Sequence, residues 1–312
     1  MILFERDVAT GLPRNIADPD QVARLTADIQ TLARTCAGRP VFIAADNEGG
    51  LVTRLSTRAG YAPSPSAQEM GEGGDVAATE LEARRLAARL REAGINWNLA
   101  PVVDVAVNPA NPAVVALGRT YSGDPGEVAA HARAFITGMR AHGVLTALKH
   151  FPGHGSSRAD SHHGFTDITR TADLARELKP YRVLLNEQRV DAVMPGHVFN
   201  RKLDRRHPAS LSKAAVSRLL RRDLGWRGVV VSDDLLMGAV AKHYGLEDAA
   251  LLALGAGVDV LLIADNAVRG EARGPERVVA AIQRALAEGR LSRKSVQAAL
   301  DRVEALRRRL EF

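Results

Sequence analysis

Short runs of apolar and β-branched residues alternate with longer amphipathic stretches along the whole chain. The runs are apolar at nearly every position, which is typical of parallel strands that are covered on both faces. Regular alternation of such strands with helices indicates parallel β/α units. Seven strands are predicted in this way, at residues 2–4, 41–45, 95–103, 144–149, 192–194, 229–232 and 258–263.

The stretches between these runs have apolar residues at helical spacing. In the first of them, residues 20–34, one face carries Val22, Leu25, Ile29 and Leu32. Asp18 and Pro19 precede it, as expected for an N-cap and a first-turn proline. Further helices are predicted near residues 75–92, 126–142, 172–187, 211–223, 247–255, 276–288 and 292–310.

Two α/β architectures fit this alternation, a (β/α)8 barrel and an open doubly wound sheet. The glycine-rich dinucleotide fingerprint is absent, and so is a phosphate-binding loop that ends in Lys followed by Ser or Thr. No linker rich in Ser, Gly or Pro divides the chain. We therefore predict an α/β fold, a TIM-like (β/α)8 barrel, that forms a single domain over residues 1–312.

Composition and charge narrow the possible partners. The 312 residues include 42 Lys or Arg against 36 Asp or Glu, which gives a net charge of +6. The basic clusters at 221–222 and 307–309 fall in helical patterns, so we expect solvated helix faces there. Only 4% of the residues are aromatic and no nucleic-acid motif is present, so we expect no nucleic-acid partner.

No apolar run reaches the ~20 residues of a membrane-spanning helix, so we expect no membrane partner. The first residues lack the basic segment and the long apolar segment of a secretory signal. Cys36 is the single cysteine, which agrees with a reducing compartment. A cytoplasmic location is therefore expected.

Ionisable residues follow four of the predicted strands. In a β/α barrel the carboxyl ends of the strands face one mouth, where the loops build the active site. We therefore expect an active site from the side chains at these four ends, which are Asp46 with Glu48, Lys149 with His150, His197, and Asp233 with Asp234.

A loop rich in histidine follows Lys149, and four of the nine histidines lie within residues 150–163. A long loop in a compact barrel is more often functional than idle. Three roles are open for this loop. Its histidines hold it in place by hydrogen bonds, or they bind a metal ion, or the loop carries an acid–base pair in which Asp160 orients His162 and keeps it protonated. The candidate metal ligands are His150, His154, Asp160 and His162.

Two further motifs offer groups that would contact a ligand. Neighbouring carboxylates in an extended segment point in opposite directions, so one of Asp233 and Asp234 would face the mouth. That carboxylate would serve as a base, a metal ligand or a nucleophile, unless it caps the following helix. Asp46 would accept hydrogen bonds from vicinal sugar hydroxyls, with Arg54 beyond it, and Arg119 would reach a ligand or hold its loop by an ion pair.

Together these segments resemble glycoside hydrolase family 3, and most of all its single-domain branch of β-N-acetylglucosaminidases that act on cell-wall muropeptides. The most specific match is Lys-His-Phe-Pro-Gly-His-Gly at 149–155, followed by Asp-Ser-His at 160–162. Asp-Asn-Glu-Gly-Gly at 46–50 is similar to the family's Asp-Gln-Glu-Gly-Gly, and Ser-Asp-Asp-Leu at 232–235 is similar to the same four residues in the family. The resemblance covers essentially the whole chain and implies a catalytic (β/α)8 barrel.

The resemblance implies a retaining glycosidase that uses no cofactor and no metal and acts on a glycan or muropeptide containing N-acetylglucosamine. It implies Asp233 as the nucleophile and His162 as the acid and base, with Asp160 as the partner of His162. The expected substrate-binding residues are Asp46, Arg54, Arg119, Lys149, His150 and His197.

Other activities stay open. A neutral histidine base leaves the site less negative than a carboxylate would, and this would admit phosphate, so a glycosyl phosphorylase is an alternative. A β-glucosidase of the same family is another. A metal-dependent hydrolase that uses the histidine loop and an inactive sugar-binding protein are alternatives from other classes. The aglycone and the oligomeric state do not follow from the sequence.

The first residues depart from the family pattern. Ile-Leu-Phe-Glu-Arg-Asp at 2–7 resembles the second strand of the family, so the first strand of the barrel is expected to be missing or altered. Seven strands instead of eight would leave two sheet edges that need a cover. We therefore expect low stability or an unusual closure, for example through a partner subunit.

Overall fold

The computed structural model describes residues 1–7, 10–187, 189–264 and 274–310. The strands of these residues are β1 (Ala44–Ala45), β2 (Trp97–Asn98), β3 (Leu145–Phe151), β4 (Thr166–Asp167), β5 (Ala192–Pro195), β6 (Val198–Phe199) and β7 (Val229–Val230). Five of them form one parallel sheet in the order β1-β2-β3-β5-β7. The predicted parallel arrangement is confirmed, whereas the small parallel pair of β4 and β6 was not predicted.

The main sheet extends by one bridge on each side. Ile2 pairs in parallel with Ala44, and Val231 pairs in parallel with Val260. The seven predicted strands therefore follow one another in space in the order of the sequence. Their carboxyl ends consequently meet at one end of the sheet.

The sheet of the described residues is open between its first and last strands. No backbone bridge joins the strand at Ile2 to the strand at Val260 within the described ranges. A side chain connects the two sides instead, because Arg14 Nη2 donates to the carbonyl of Ala264 at 2.9 Å. This arrangement agrees with the expected unusual closure, whereas low stability and a covering partner subunit stay predictions.

The α-helices of the described residues are α1 (Pro19–Ala37), α2 (Ala67–Gly73), α3 (Val76–Glu92), α4 (Pro125–Arg140), α5 (Leu174–Glu177), α6 (Lys179–Asn186), α7 (Gly238–Ala241), α8 (Leu246–Ala256), α9 (Gly274–Ala287) and α10 (Arg293–Arg307). Short 3₁₀ turns lie at Thr57–Ala59, Ala209–Leu211 and Arg308–Leu310. Ala214–Asp223 is a π-helix where an ordinary helix was predicted. None of the described helices is long and apolar enough to cross a membrane.

The first helix shows how local sequence sets a boundary. The carboxylate of Asp18 accepts a hydrogen bond from Gln21 N at 2.8 Å, and Pro19 occupies the first turn. The predicted cap and the predicted proline are thus confirmed. Helix α2 was missed, although its capping box, Ser66 with Glu69, is a recognisable signal in the sequence.

Helix α10 closes the end of the barrel opposite to the carboxyl ends of the strands. Its Leu306 packs into the apolar cluster inside the sheet, which includes Trp97 and Met194. Its Arg302 pairs at 2.7 Å with Asp259, which comes directly before the last strand of the sheet. The carboxyl ends of the strands are left open for a cavity.

The expectation that the basic clusters are solvated was wrong for Arg221, whose side chain is 16% exposed, whereas Arg309 is 40% exposed and is solvated as expected. Arg221 pairs at 2.6 Å with the fully buried carboxylate of Asp259, and Arg309 pairs with the fully buried carboxylate of Asp191. A buried carboxylate needs a positive charge nearby because water cannot solvate it. These arginines therefore compensate acidic residues at the starts of the strands.

Candidate active site

A cavity of about 430 Å³ opens at the carboxyl ends of the strands, and this volume is common for small-molecule sites. The strand ends and the loops that follow them provide its charged lining. These residues include Asp46, Glu48, Arg54, Arg119, Lys149, His150, Asp160, His162, Asp233 and Asp234. The fold therefore brings together every predicted site residue except His197.

The floor of the cavity is a network of ion pairs. Lys149 Nζ lies 2.9 Å from Asp46 Oδ1 and 2.7 Å from Glu48 Oε1. The guanidinium of Arg119 donates two hydrogen bonds of 2.8 Å to Glu48. Arg54 Nη2 lies 3.2 Å from Asp46 Oδ2. The network fixes cations and carboxylates at the place where a polar ligand would bind.

The carboxylates of this network stay ionised although they are buried. Burial alone would raise the pKa of Glu48, but Arg119 and Lys149 outweigh burial and lower the pKa to about 2. The same competition between burial and Lys149 leaves the pKa of Asp46 well below its usual range. A carboxylate has about four lone-pair sites, so the ion pairs leave Asp46 able to accept hydrogen bonds from ligand hydroxyls.

Asp104, which was not among the predicted site residues, orients His150. Its Oδ2 lies 2.7 Å from Nδ1 of His150, and its Oδ1 accepts the backbone N–H of His154 at 2.7 Å. Because an ionised carboxylate only accepts, Nδ1 of His150 donates, and in the neutral ring Nε2 is an acceptor 3.4 Å from Arg119 Nη2. Asp104 follows the predicted strand at 95–103, and this position at a strand end was a signal that could have found it.

His162 and Asp160 form a hydrogen-bonded pair in the lining of the cavity. Nδ1 of His162 lies 2.7 Å from Oδ1 of Asp160, and the backbone N–H of His162 donates to the same oxygen at 2.9 Å. The hydrogen bond to Asp160 raises the pKa of His162. Nε2 of His162 has no hydrogen-bond partner in the part of the chain that the structure describes, and the side chain is 53% exposed. The pair can therefore hold a proton on Nε2 and deliver it to a bound ligand.

The two neighbouring carboxylates after β7 have different surroundings. Oδ1 of Asp234 accepts the backbone N–H groups of Leu236 and Ala264 at 3.1 and 3.0 Å, which ties it into the loop. Within the described residues, Asp233 accepts only the backbone N–H of Asp234, at 2.8 Å. Burial would raise the pKa of Asp233, but the nearby imidazoles, that of His197 first, outweigh burial and lower the pKa. Asp233 is therefore an ionised carboxylate at the cavity wall.

His197 lies behind the wall of the cavity. Its Nε2 donates to the carbonyl of Asp234 at 2.8 Å, and its Nδ1 lies 2.6 Å from Ser210 Oγ. Both ring nitrogens are used inside the protein, and the residue is 1% exposed. This position differs from the predicted contact with substrate, and it places His197 as a support for the end of β7.

His154 belongs to the internal structure of the histidine loop. Its Nδ1 lies 2.6 Å from Ser157 Oγ, its Nε2 lies 3.0 Å from Ser161 Oγ, and burial lowers its pKa to about 4. Among the described residues, no group of three or more His, Cys, Asp or Glu side chains is arranged to hold a metal ion. The hydrogen bonds of His154 thus hold the loop, and the loop presents the Asp160–His162 pair to the cavity.

Comparison with known proteins decides the family. Residues 2–306 match the sequence profile of the glycosyl hydrolase family 3 N-terminal domain. The chain belongs to glycosyl hydrolase family 3. The family that the three motifs resemble is thereby confirmed.

Relatives of this family 3 chain narrow its class. The beta-hexosaminidase of Methylococcus capsulatus is 37% identical over 260 residues, which span 81% of this chain and 74% of that protein. Beta-hexosaminidase LpqI of Mycobacterium tuberculosis is 40% identical over 230 residues, which span 72% of this chain and 58% of that protein. The predicted class, a glycoside hydrolase, is confirmed.

A solved structure shows the same fold. The family 3 beta-N-acetylglucosaminidase from Paenibacillus superposes with a TM-score of 0.89 at 35% identity, over 99% of this chain and 56% of that chain. This likeness and the parallel sheet between helices confirm the predicted barrel class. The present chain thus spans little more than half the length of two of these three proteins.

We expect Glu48 to be important for stability, because it is 5% exposed and binds both Arg119 and Lys149. Glu48→Gln should lower the free energy of unfolding by about 3 kcal/mol, since it removes one buried carboxylate from two buried cations. Urea unfolding at neutral pH measures the loss. Glu288→Gln is the matched control, because Glu288 pairs with Arg290 at the exposed surface and should cost less than about 1 kcal/mol. Equal losses in the two variants would contradict the expectation.

Glu177 is a fully buried carboxyl group against the loop that follows β3. Its Oε1 accepts the backbone N–H of Ser156 at 3.1 Å, and a Cβ placed on Gly153 would lie 2.6 Å from the Cβ of Glu177. Burial raises the pKa of Glu177 to about 7. The folded protein therefore holds a proton on Glu177 at pH values where the unfolded chain has lost it.

Between about pH 5 and pH 8, wild type is expected to lose stability relative to Glu177→Gln. The folded state binds the extra proton, so the free energy of unfolding falls as the pH rises from the ordinary value of 4.5 through about 7. The shift corresponds to about 3 kcal/mol. Urea unfolding of both proteins across this range measures the difference, and Glu92→Gln, exposed on α3, is the control. Parallel pH curves for wild type and Glu177→Gln would show that the carboxyl group is not protonated.

Proposed function

We propose that this family 3 chain is a retaining β-N-acetylhexosaminidase that removes a non-reducing terminal N-acetyl-β-glucosamine. The observation that carries the proposal is the presence of Asp233 and the Asp160–His162 pair in the lining of one cavity, above a charged floor. Relatives that are named beta-hexosaminidase support the aminosugar. Two groups of different function, an ionised carboxylate and a protonated histidine, are what a double displacement requires.

In the first step, an oxygen of Asp233 attacks the anomeric carbon while Nε2 of His162 gives its proton to the glycosidic oxygen. The bond from carbon to the leaving group breaks, and a glycosyl ester of Asp233 forms. In the second step, a water oxygen attacks the same carbon, His162 takes a proton from the water, and the ester bond breaks. The lowered pKa of Asp233 and the raised pKa of His162 favour the protonation states that the first step needs.

The charged floor would bind the non-reducing sugar. Asp46 accepts hydrogen bonds from its hydroxyls, Lys149 and Arg119 donate to them, and Nε2 of His150 is a further hydrogen-bonding group. Arg54 lies beside Asp46 at the same wall. We further propose a muropeptide, a peptidoglycan fragment, as the substrate and the cytoplasm as the location. The muropeptide rests on the motif resemblance and the cytoplasm on the single cysteine, Cys36, and both stay predictions.

Initial rates on p-nitrophenyl N-acetyl-β-glucosaminide and p-nitrophenyl β-glucoside, with and without phosphate, test the proposal. We expect faster release from the acetamido substrate and free N-acetylglucosamine as the sugar product in phosphate. A sugar 1-phosphate would identify a phosphorylase, and faster release from the glucoside would identify a β-glucosidase. Activity that a chelator abolishes would identify a metal-dependent hydrolase. Binding of N-acetylglucosamine without release of p-nitrophenol would identify a sugar-binding protein.

A further inference from the structure

The dyad loop, defined as residues 160–164, is held by one short segment, residues 238–242. Three successive carbonyl groups of the loop accept hydrogen bonds from this segment. Ala239 N donates to Ser161 at 3.1 Å, and Gly238 N donates to His162 at 3.2 Å. Lys242 Nζ donates to His163 at 2.7 Å. The backbone carbonyl groups of His162 and of the residues before and after it are thus held in place.

The same segment follows Asp233 directly in the chain. The backbone N–H of Met237 donates to the carbonyl of Asp234 at 3.0 Å, and the carboxylate of Asp234 accepts the N–H of Leu236. These bonds form a tight turn between Asp233 and the segment 238–242. One continuous stretch of chain therefore carries the carboxylate and holds the loop with the histidine.

Gly238 lies too close to the dyad loop for any other residue. A Cβ on Gly238 would lie 2.8 Å from the carbonyl oxygen of His162 and 3.0 Å from the carbonyl carbon of His163. Both of these atoms belong to the backbone, so the loop itself would have to move. The glycine is needed here for a close approach of two backbone segments.

We propose that Gly238 and Lys242 are positioning residues that set the place of His162 relative to Asp233. The inference rests on the proposed glycosidase mechanism, in which His162 and Asp233 must reach the same glycosidic bond. A displacement of about 1 Å between reacting groups can cost about 10²-fold in rate. Gly238 and Lys242 contact the backbone of the dyad loop, so we expect their substitution to affect the proton transfer more than the attack by Asp233.

Two substrates with different leaving groups distinguish an effect on proton transfer from an effect on nucleophilic attack. Phenolate leaves slowly without a proton, whereas 2,4-dinitrophenolate leaves without one. The ratio kcat/KM reports the first step, so the phenyl and 2,4-dinitrophenyl N-acetyl-β-glucosaminides compare that step with and without a need for the acid. A loss confined to the phenyl substrate shows a displaced histidine, and a merely structural defect lowers both values.

Lys242→Met is the first variant, because methionine keeps an unbranched side chain and removes the donor. We expect kcat/KM for the phenyl substrate to fall about 10-fold and that for the dinitrophenyl substrate to change less than about 2-fold. Lys242→Arg, which keeps a cationic donor, should restore most of the loss. Lys294→Met is the matched control, since Lys294 is exposed on α10. Gly238→Ala should reduce the phenyl value by about 10²-fold.

Several outcomes would overturn the inference. Equal losses on both substrates would show a structural effect, and wild-type values for both Lys242→Met and Gly238→Ala would show that the contacts have no role. Urea unfolding of each variant shows whether it is folded, and Lys242→Met at an exposed position keeps the test valid if Gly238→Ala unfolds. Wild type that hydrolyses neither substrate would refute the proposed function and this inference together. An active wild type with unaffected variants would refute this inference alone.

Discussion

Asp233→Asn should lower kcat on p-nitrophenyl N-acetyl-β-glucosaminide by about 10⁴-fold or more while the protein stays folded. The amide has the shape of the carboxylate but is a poor nucleophile, so the glycosyl ester cannot form. Asp233 is suited to this role because it is ionised and accepts only one backbone N–H among the described residues. Initial rates at saturating substrate measure kcat, and urea unfolding of the same sample shows whether the variant is folded.

Asp234→Asn is the matched control for this substitution. Asp234 is the adjacent carboxyl group, and its oxygen accepts the backbone N–H groups of Leu236 and Ala264. An asparagine oxygen can accept the same two hydrogen bonds, so the loss should stay within about 10-fold. A larger loss of kcat in Asp234→Asn than in Asp233→Asn would show that Asp234, and not Asp233, is the nucleophile.

A fluorinated substrate with a good leaving group, whose glycosyl ester is hydrolysed slowly, gives a second measurement of ester formation on Asp233. It should leave its glycosyl group on wild type as an ester, and the mass of the peptide that contains Asp233 should increase by that of the sugar. Asp233→Asn should show no increase. A modified peptide elsewhere in the chain would contradict the assignment of the nucleophile.

The strand ends were the most informative part of the sequence. Apolar runs that end in a charged residue placed Asp46, Lys149, His150 and Asp233 at one mouth, and the fold brings all four into one cavity. This succeeds because the direction of a parallel strand alone decides at which end of the barrel a residue lies. The hydrogen bond between Asp160 and His162 was also predictable, since the two residues are only two positions apart in the chain.

Partners that are distant in the chain were not predictable in the same way. Glu48 meets Arg119 across 71 positions, and Asp104 meets His150 across 46. Only the side-by-side packing of neighbouring strands brings such side chains together. The ion-pair floor and the support of His150 therefore needed the structure.

His197 follows a strand and does not belong to it. Strand β5 ends at Pro195, and its Met194 lines the cavity. Gly196 then comes so close to His150 that a Cβ on it would lie 2.8 Å from the Cβ of His150. The ring nitrogens of His197 contact Ser210 and the carbonyl of Asp234. The sequence showed that His197 follows a strand, but not which groups its ring would contact.

Strand lengths were overestimated for a physical reason. The runs at 41–45 and 95–103 contain strands of two residues each. The side chain of Asn96 accepts the N–H of Ile43 at 2.8 Å, and that of Asn98 accepts the N–H of Asn47 at 3.0 Å. Amide side chains thus replace part of the backbone pairing. An apolar run predicts burial, but it does not predict which group satisfies each backbone N–H.

Substitution of the Asp160–His162 pair should change the pH dependence of kcat/KM as well as its size. His162→Ala should lower kcat/KM on a phenyl N-acetyl-β-glucosaminide by about 10²–10⁴-fold, which is the usual contribution of a general acid. The alkaline limb of the wild-type profile should report the loss of the proton from His162 in the free enzyme. His162→Ala should therefore lack this limb.

Asp160→Asn should move the alkaline limb to lower pH. The hydrogen bond to the carboxylate of Asp160 raises the pKa of His162, so its removal lets His162 lose its proton earlier as the pH rises. The loss of activity should consequently be greater above neutral pH than below it. His142→Gln, at an exposed position remote from the cavity lining, should leave the profile unchanged. An alkaline limb that stays in place in Asp160→Asn would show that the carboxylate does not tune the acid, and one that persists in His162→Ala would assign the proton to another group.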